Sequence, residues 1–406
     1  MHRIVVLGAG YAGASAAGRL ARRLYREDVS ITLVNAEPDF VERVRMHQVA
    51  AGQKLKTRPF REMFAGTGVE VRIARVTGLD VDRKTVTLSD GADELAYDTL
   101  VYALGSGWNA QGVPGTHEHA YELASRPGAL RLRDRLAGLA PGQSVVVVGG
   151  GLTGLEAATE IAEARPDLDV AIVARDALGG WLSPKGRAHL ARVVAKLGIT
   201  VHDHTAVTAV EPDHLVTAAE PVTGGSAHAV TGAGRRIPAA VTVWATGFAV
   251  HPLALATTLD TSGTGQIAVD ATMRSTSHPD VYAVGDAALV MGPGDKPLRM
   301  SCASGTPTAW QAADAIAARL TGAPIPKTTI RYFNQCISLG RREGLIQYVT
   351  ADDRAVQAVL TGRLAALYKE VVCKSAAWAV ANPTLGLPTR RRHVQPRATA
   401  PAQALA

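Results

Sequence analysis

The segment Ile4-Val-Val-Leu-Gly-Ala-Gly-Tyr-Ala-Gly13 decides the fold. A β-branched run enters a glycine cluster, an alanine-rich amphipathic stretch leaves it and runs to about Arg26, and a second β-branched run follows from Val29 to Val34. This order of strand, glycine turn, helix and strand is the opening of a βαβ unit. The pattern returns at Val145-Val-Val-Val-Gly-Gly-Gly-Leu-Thr-Gly154, with a helix to about Ala164 and a strand from Val170 to Ala174. One glycine pattern of this kind is a weak signal. Two, with Gly8 and Gly149 lying 141 positions apart and each between a strand and a helix, point to two nucleotide-binding units. Gly8 and Gly149 permit the tight turn, Gly10 and Gly151 let backbone approach a pyrophosphate, and Gly13 and Gly154 seat the helix on the strand. The helix N-terminus then meets the phosphates. Glycines so placed also serve close helix–strand packing alone, so the motif by itself leaves that reading open.

Working outward, Arg72 to Val101 reads as a β meander that returns to the first sheet at Thr99-Leu-Val-Tyr-Ala-Leu-Gly105, and Gln111-Gly-Val-Pro-Gly115 reads as a linker. After the second unit come Ile199 to Val210, a hairpin tip from Thr217 to Gly234, and the strand Val241-Thr-Val-Trp-Ala-Thr-Gly247. Asp280-Val-Tyr-Ala-Val-Gly-Asp286 is a buried strand ending in Gly-Asp, followed by a helix from about Thr308 to Leu320, and both are assigned to the first unit. The predicted architecture is α/β: two Rossmann-like dinucleotide-binding domains, the second inserted in the first, plus a small C-terminal α+β region. The expected boundaries are 1–112 with 248–326, 113–247, 327–388, and a disordered Arg-, Pro- and Ala-rich tail over 389–406.

Composition agrees with this class. The 406 residues correspond to about 2.7 domains at roughly 150 residues each. Apolar residues make up 47%, charged residues 19% and aromatic residues 5%, the balance of a compact α/β protein rather than a disordered chain. The net charge of +7 is spread along the chain except at Arg390, Arg391, Arg392 and Arg397, so no nucleic-acid face is expected. Cys302, Cys336 and Cys373 are too far apart in sequence for CxxC chemistry and odd in number, which fits a reducing compartment rather than a disulfide framework. The first strand starts at Arg3, so a cleaved export signal is not expected. Ile237 to Leu259 approaches spanning length, but it holds Pro238, Gly247, His251 and Pro252 and reads as strand plus loop. His202 and His204 lack a third ligand at a suggestive spacing, so no metal is expected.

With these features in hand, the chain resembles the two-dinucleotide-binding-domain flavoprotein superfamily, and within it the type II NADH dehydrogenase-like branch. The resemblance rests on both glycine units, Ala103-Leu-Gly-Ser106, Ala245-Thr-Gly247 and Val281-Tyr-Ala-Val-Gly-Asp286, and covers about residues 1 to 325. It implies FAD on the first fold, held by Gly8, Gly10, Tyr11, Ala12, Gly13, Asn35, Ala36, Glu37, Arg45, Val76, Ala103, Leu104, Gly105, Gly285, Asp286 and Thr306. Asp286 would meet the flavin ribitol. It also implies a nicotinamide cofactor on the inserted fold, at Gly149, Gly151, Leu152, Thr153, Gly154, Arg175, Thr246 and Gly247. Three departures matter. The redox CxxxxC pair of the superfamily's disulfide reductases is absent between Pro38 and Gly52. Asn35 stands where an acid normally meets the adenosine ribose, with Glu37 two residues on. Of the branch's AQxAxQ quinone signature, only Ala309 and Gln311 are matched within Thr306 to Gln311.

The branch's GxGxTGxE pattern ends here at Glu156. A carboxylate one turn into a helix at a cofactor crevice can orient the nicotinamide or relay a proton, while a helix-N-terminal charge is the plainer alternative. At the end of the inserted fold's second strand stands Arg175, with Lys185 and Arg187 beyond it. These cations favour NADPH with NADH also accepted, and Asp176 argues for NADH. The expected activity is hydride transfer from NAD(P)H to flavin, then electron transfer to a small-molecule acceptor, a quinone or quinone-like aromatic. The alternatives are a flavin-dependent tailoring enzyme acting on an organic metabolite, and a non-enzymatic nucleotide-sensing flavoprotein. The expected location is the cytoplasm. Leu364 to Trp378 reads either as a peripheral anchor on the inner membrane face, aided by Arg390 to Arg392, or as a core or dimer contact. Oligomeric state is left open.

Overall fold

The computed structural model of the chain describes residues 1–91, 94–218, 234–326 and 328–396. Two five-stranded, all-parallel sheets organise it. In the first, the strands run in the order Val281–Ala283, Thr99–Tyr102, His2–Leu7, Val29–Asn35 and Val69–Ile73. In the second the order is Thr200–His202, Asp169–Val173, Ser144–Val148, Val241–Trp244 and Ala120–Glu122. Each glycine-loop strand is therefore central and flanked on both sides. This explains the uninterrupted β-branched runs: Val5, Val6 and Leu7, like Val145, Val146 and Val147, are almost wholly buried because parallel sheets are covered on both faces.

Each central strand turns into its helix, Tyr11–Arg23 or Leu152–Ala164, at a glycine in left-handed conformation, Gly8 (φ +90°) and Gly149 (φ +131°). The helix Tyr11–Arg23 lies against helix Cys302–Thr321, and its small residues Ala14, Ala16 and Ala17 let the two approach closely. Arg19 and Asp314 tie the pair at 2.7 Å. Helix Cys302–Thr321 begins six residues before the sequence expectation and runs through Pro307, which reads as a breaker in sequence. Ile237 to Leu259 resolves into strands Arg236–Pro238, Val241–Trp244 and Phe248–Val250 and a 3-10 turn. Among the described residues no helix is long and apolar enough to cross a membrane.

Beyond the second sheet, strands Asn334–Ser338, Gly344–Val349 and Ala355–Thr361 form an antiparallel sheet, followed by helix Arg363–Ala381. Most of the expected hairpin tip falls at 219–233, outside the described residues. The expectation of a disordered tail from residue 389 is corrected over 389–396. There His393 stacks on Tyr25 at 4.0 Å and meets Asp28 at 2.9 Å, while the Gln395 N–H donates to the Leu320 carbonyl at 2.8 Å. An Arg/Pro-rich composition signals disorder only while nothing holds the backbone, and here the edge of the first fold does.

Candidate functional site

The first glycine loop is shaped for a ligand. A Cβ on Gly13 would lie 1.8 Å from the Gly8 carbonyl oxygen, so this glycine serves helix–strand packing, whereas a Cβ on Gly10 would meet nothing within 4 Å. Gly10 thus faces open space at a helix N-terminus, the position where a pyrophosphate is bound. The inserted fold repeats the division: a Cβ on Gly154 would lie 1.8 Å from the Gly149 oxygen, and one on Gly151 would meet nothing.

Asp286 is half-buried just past strand Val281–Ala283. It accepts from the Ser106 hydroxyl at 2.6 Å and faces the Arg43 guanidinium at 3.8 Å. Arg43 also donates to the Ser106 carbonyl at 2.6 Å, so the Ala103–Ser106 turn and Asp286 form one rim. The next glycine, Gly285, donates its N–H to the Thr308 hydroxyl at 3.1 Å. Thr308, not the candidate Thr306, secures that turn; Thr306 is half-buried two residues earlier on the helix. These features fit a dinucleotide such as FAD: an open glycine face, a helix N-terminus and a fixed carboxylate beyond them.

Other candidates are placed differently. Asn35 closes the glycine loop, accepting from the Ala9 N–H at 2.9 Å and donating to the Glu37 carbonyl at 2.8 Å. Ala36 and Glu37 are exposed beside it, so Glu37 is the acid available to a ribose. Tyr11 and Val76 are buried in the first core, and Ala12, Ala103, Leu104 and Gly105 surround the loop. Arg45 is turned away from this rim towards Glu370 on helix Arg363–Ala381, at 3.1 Å. Gln311 donates to the backbone carbonyls of Ala271 and Thr328, the latter at 3.1 Å, so its amide braces the fold. At the second loop Leu152 and Thr153 are half-buried, as is Thr246, and Gly247 is exposed. Arg175 and Asp176 are both well exposed and face each other at 3.9 Å.

Glu156 is only 7% exposed, and its surroundings were invisible in sequence. Lys369 comes from helix Arg363–Ala381 to place its Nζ 2.9 Å from Oε1, the Ser338 N–H donates to the same oxygen at 3.0 Å, and His47 Nδ1 lies 3.8 Å from Oε2. Lys369 also donates to the Cys336 carbonyl at 3.0 Å. Burial alone would raise the Glu156 carboxyl, but Lys369, His47 and Ser338 together hold it below the ordinary carboxylate range. Burial alone would lower Lys369, yet Glu156 lifts it above the usual lysine range. Both partners of the pair are charged. Burial lowers His47 to about 4, so this imidazole is neutral at pH 7.

The three cysteines, distant in sequence, gather around Lys369 within electrostatic reach of one another. Burial pushes Cys336 and Cys373 up to about 11, which keeps them protonated thiols. Sequence reasoning missed Arg43, His47, Ser338 and Lys369. Only the isolated basic residue in the apolar run 364–373 hinted at the last.

Residues 2–317 match the family described as pyridine nucleotide-disulphide oxidoreductase. An NADH dehydrogenase-like protein of Mycobacterium tuberculosis is 31% identical over 359 residues, spanning 84% of this chain and 86% of that protein. The demethylphylloquinone reductase of Synechocystis is 26% identical over 389 residues, 90% of this chain and 92% of its own. The structure of NDH2 from Plasmodium falciparum in complex with NADH superposes with a TM-score of 0.76 at 14% identity, covering 96% of this chain and 99% of that one.

Proposed function

The chain belongs to the pyridine nucleotide-disulphide oxidoreductase family and is an FAD-dependent oxidoreductase using NADH; from that premise we propose that it passes the electrons to a quinone or quinone-like aromatic. The observation that carries the reading is the buried Glu156–Lys369 pair, where the C-terminal region meets both dinucleotide folds. A quinone accepting a hydride's two electrons also takes up a proton from solvent, and a charged acid–ammonium pair shielded from water can hold and hand on that proton. The name of the Synechocystis relative, a demethylphylloquinone reductase, agrees with a quinone acceptor.

When bound at the first glycine loop, FAD supplies the two-electron carriage between nicotinamide and acceptor. In this reading Gly8 and Gly10 would cradle its pyrophosphate while Gly13 seats the helix on the strand, Asp286 with Ser106 and Arg43 would fix the ribitol, and Glu37 would meet the adenosine ribose. Gly149, Gly151, Gly154 and the start of helix Leu152–Ala164 hold the nicotinamide dinucleotide, with Arg175 admitting a 2′-phosphate so that NADPH is also accepted. Lys369 Nζ holds the exchangeable proton and the Glu156 carboxylate is its acceptor.

Helix Arg363–Ala381 buries Ala365, Cys373, Ala377 and Val380 on one side and exposes Leu364, Leu367, Val371 and Trp378 on another. That exposed apolar side suits the surface of a bilayer, where quinones reside. The acceptor is tested by NADH oxidation with menadione, with ferricyanide and with oxygen alone. Selective acceleration by menadione supports the quinone reading, and equal rates with all three oppose it.

A further inference from the structure

Helix Leu152–Ala164 carries three glutamates, Glu156, Glu160 and Glu163, at i, i+4 and i+7, so they line one face a turn apart. Glu156 is the inner member. Glu160 is 2% exposed, and its Oε1 accepts from the Gln53 amide while its Oε2 is buried without a hydrogen-bond partner. Glu163 is half-buried and accepts from the Arg341 N–H at the molecular surface. On the inner side, His47 Nε2 is likewise buried without a partner. Two orphaned polar atoms in direct succession around a buried ion pair are unusual, because an unpaired buried polar atom carries a desolvation cost.

Resting on the quinone reading above, we propose that Glu160 is the middle station of a proton path along this helix face, from Glu163 at the surface to Glu156 inside. The chemistry requires an inlet. NADH plus quinone plus one proton gives NAD⁺ plus quinol: the hydride brings two electrons and one proton, and the second proton comes from water. Glu156 is buried and the Lys369 side chain is only 16% exposed, so a proton reaching Glu156 along this helix face crosses protein. The charged or polar groups facing Glu160 are Glu156 and Glu163 on its own helix, Arg341 after strand Asn334–Ser338, and Gln53 after helix Met46–Ala50. Burial, reinforced by Glu163 and Glu156 and opposed by Arg341 and Gln53, brings its carboxyl up to about 7. Such a group both takes and releases protons near neutrality. Glu160 acts through Glu156 and is a positioning residue rather than a catalytic one.

The test compares the holoenzyme with Glu160→Gln, which keeps the shape and the contact to Gln53. Reduction of the bound flavin by NADH takes no proton from solvent and should stay within about twofold. Re-oxidation by menadione should slow about tenfold or more, with a larger D2O effect. An infrared titration of wild type should show a carboxylic acid deprotonating near pH 7 that is missing from the variant. Unchanged re-oxidation, or an equal loss in both half-reactions, overturns the path. Wild-type flavin that menadione cannot re-oxidise refutes the quinone reading instead, and the infrared titration then decides Glu160 separately: no carboxyl titrating near pH 7 overturns its role.

Discussion

Lys369 Nζ stands 2.9 Å from Glu156 Oε1, so helix Arg363–Ala381 supplies the counter-ion to a carboxylate on the inserted fold. Removing one partner strands the other charge in a buried site, which typically costs about 3 kcal/mol or more. Lys369→Met should therefore lower the denaturation midpoint and return the Glu156 carboxyl to a raised value, as burial dictates. Glu156→Gln should keep its flavin while slowing menadione turnover tenfold or more. Melting curves check the first variant, flavin content and stopped-flow traces the second, and a fully active Glu156→Gln would return the residue to a structural role.

The two glycine classes should separate cleanly. Gly10→Val should fold with a near-normal midpoint and lose FAD, since its side chain enters only ligand space. Gly13→Ala should destabilise the apoprotein, since its Cβ meets the Gly8 oxygen at 1.8 Å. Apoprotein melting curves and flavin absorbance distinguish them. A flavin-replete Gly10→Val would place the cofactor on the other fold.

Much of this was legible because both nucleotide units announce themselves locally: strand, glycine turn and helix adjoin in sequence, and a hydrophobic period reports them directly. Asp286 was legible for the same reason, as a Gly-Asp ending a buried strand. The Glu156 pocket was not. Its partners His47, Ser338 and Lys369 come from segments up to 213 positions away, and a lysine in an apolar helix reads as a surface residue until its neighbour is known. Arg43 faces Asp286 and Arg45 faces Glu370 because a three-residue 3-10 turn sends side chains two apart in different directions, a detail no periodicity conveys.

Glu160 links the site to stability. Its folded carboxyl stands at about 7 against 4.5 when unfolded, so between those values the folded state binds more protons and stability falls as pH rises. Glu160→Gln removes that dependence. The variant should gain about 3 kcal/mol relative to wild type at pH 8 and little at pH 4.5. Urea unfolding at the two pH values reads this directly, and parallel curves would contradict the raised value.

Arg175→Ala should cut kcat/KM for NADPH about tenfold, equivalent to 1.4 kcal/mol, and leave NADH nearly unchanged. An unaltered NADPH/NADH ratio would show that Arg175 does not touch the 2′-phosphate.

Leu364→Asp with Leu367→Asp should abolish sedimentation with anionic phospholipid vesicles while preserving the fold, because both side chains are more than 60% exposed. Equal pelleting of wild type and variant would leave this helix face without a membrane role.

The most direct measurement of the central claim is an anaerobic stopped-flow experiment on the purified protein, mixing first with one equivalent of NADH and then with menadione. The account predicts flavin absorbance that bleaches on the first mix and returns on the second, faster than with oxygen alone. A protein lacking flavin, or one whose NADH-bleached flavin menadione does not restore, would contradict it.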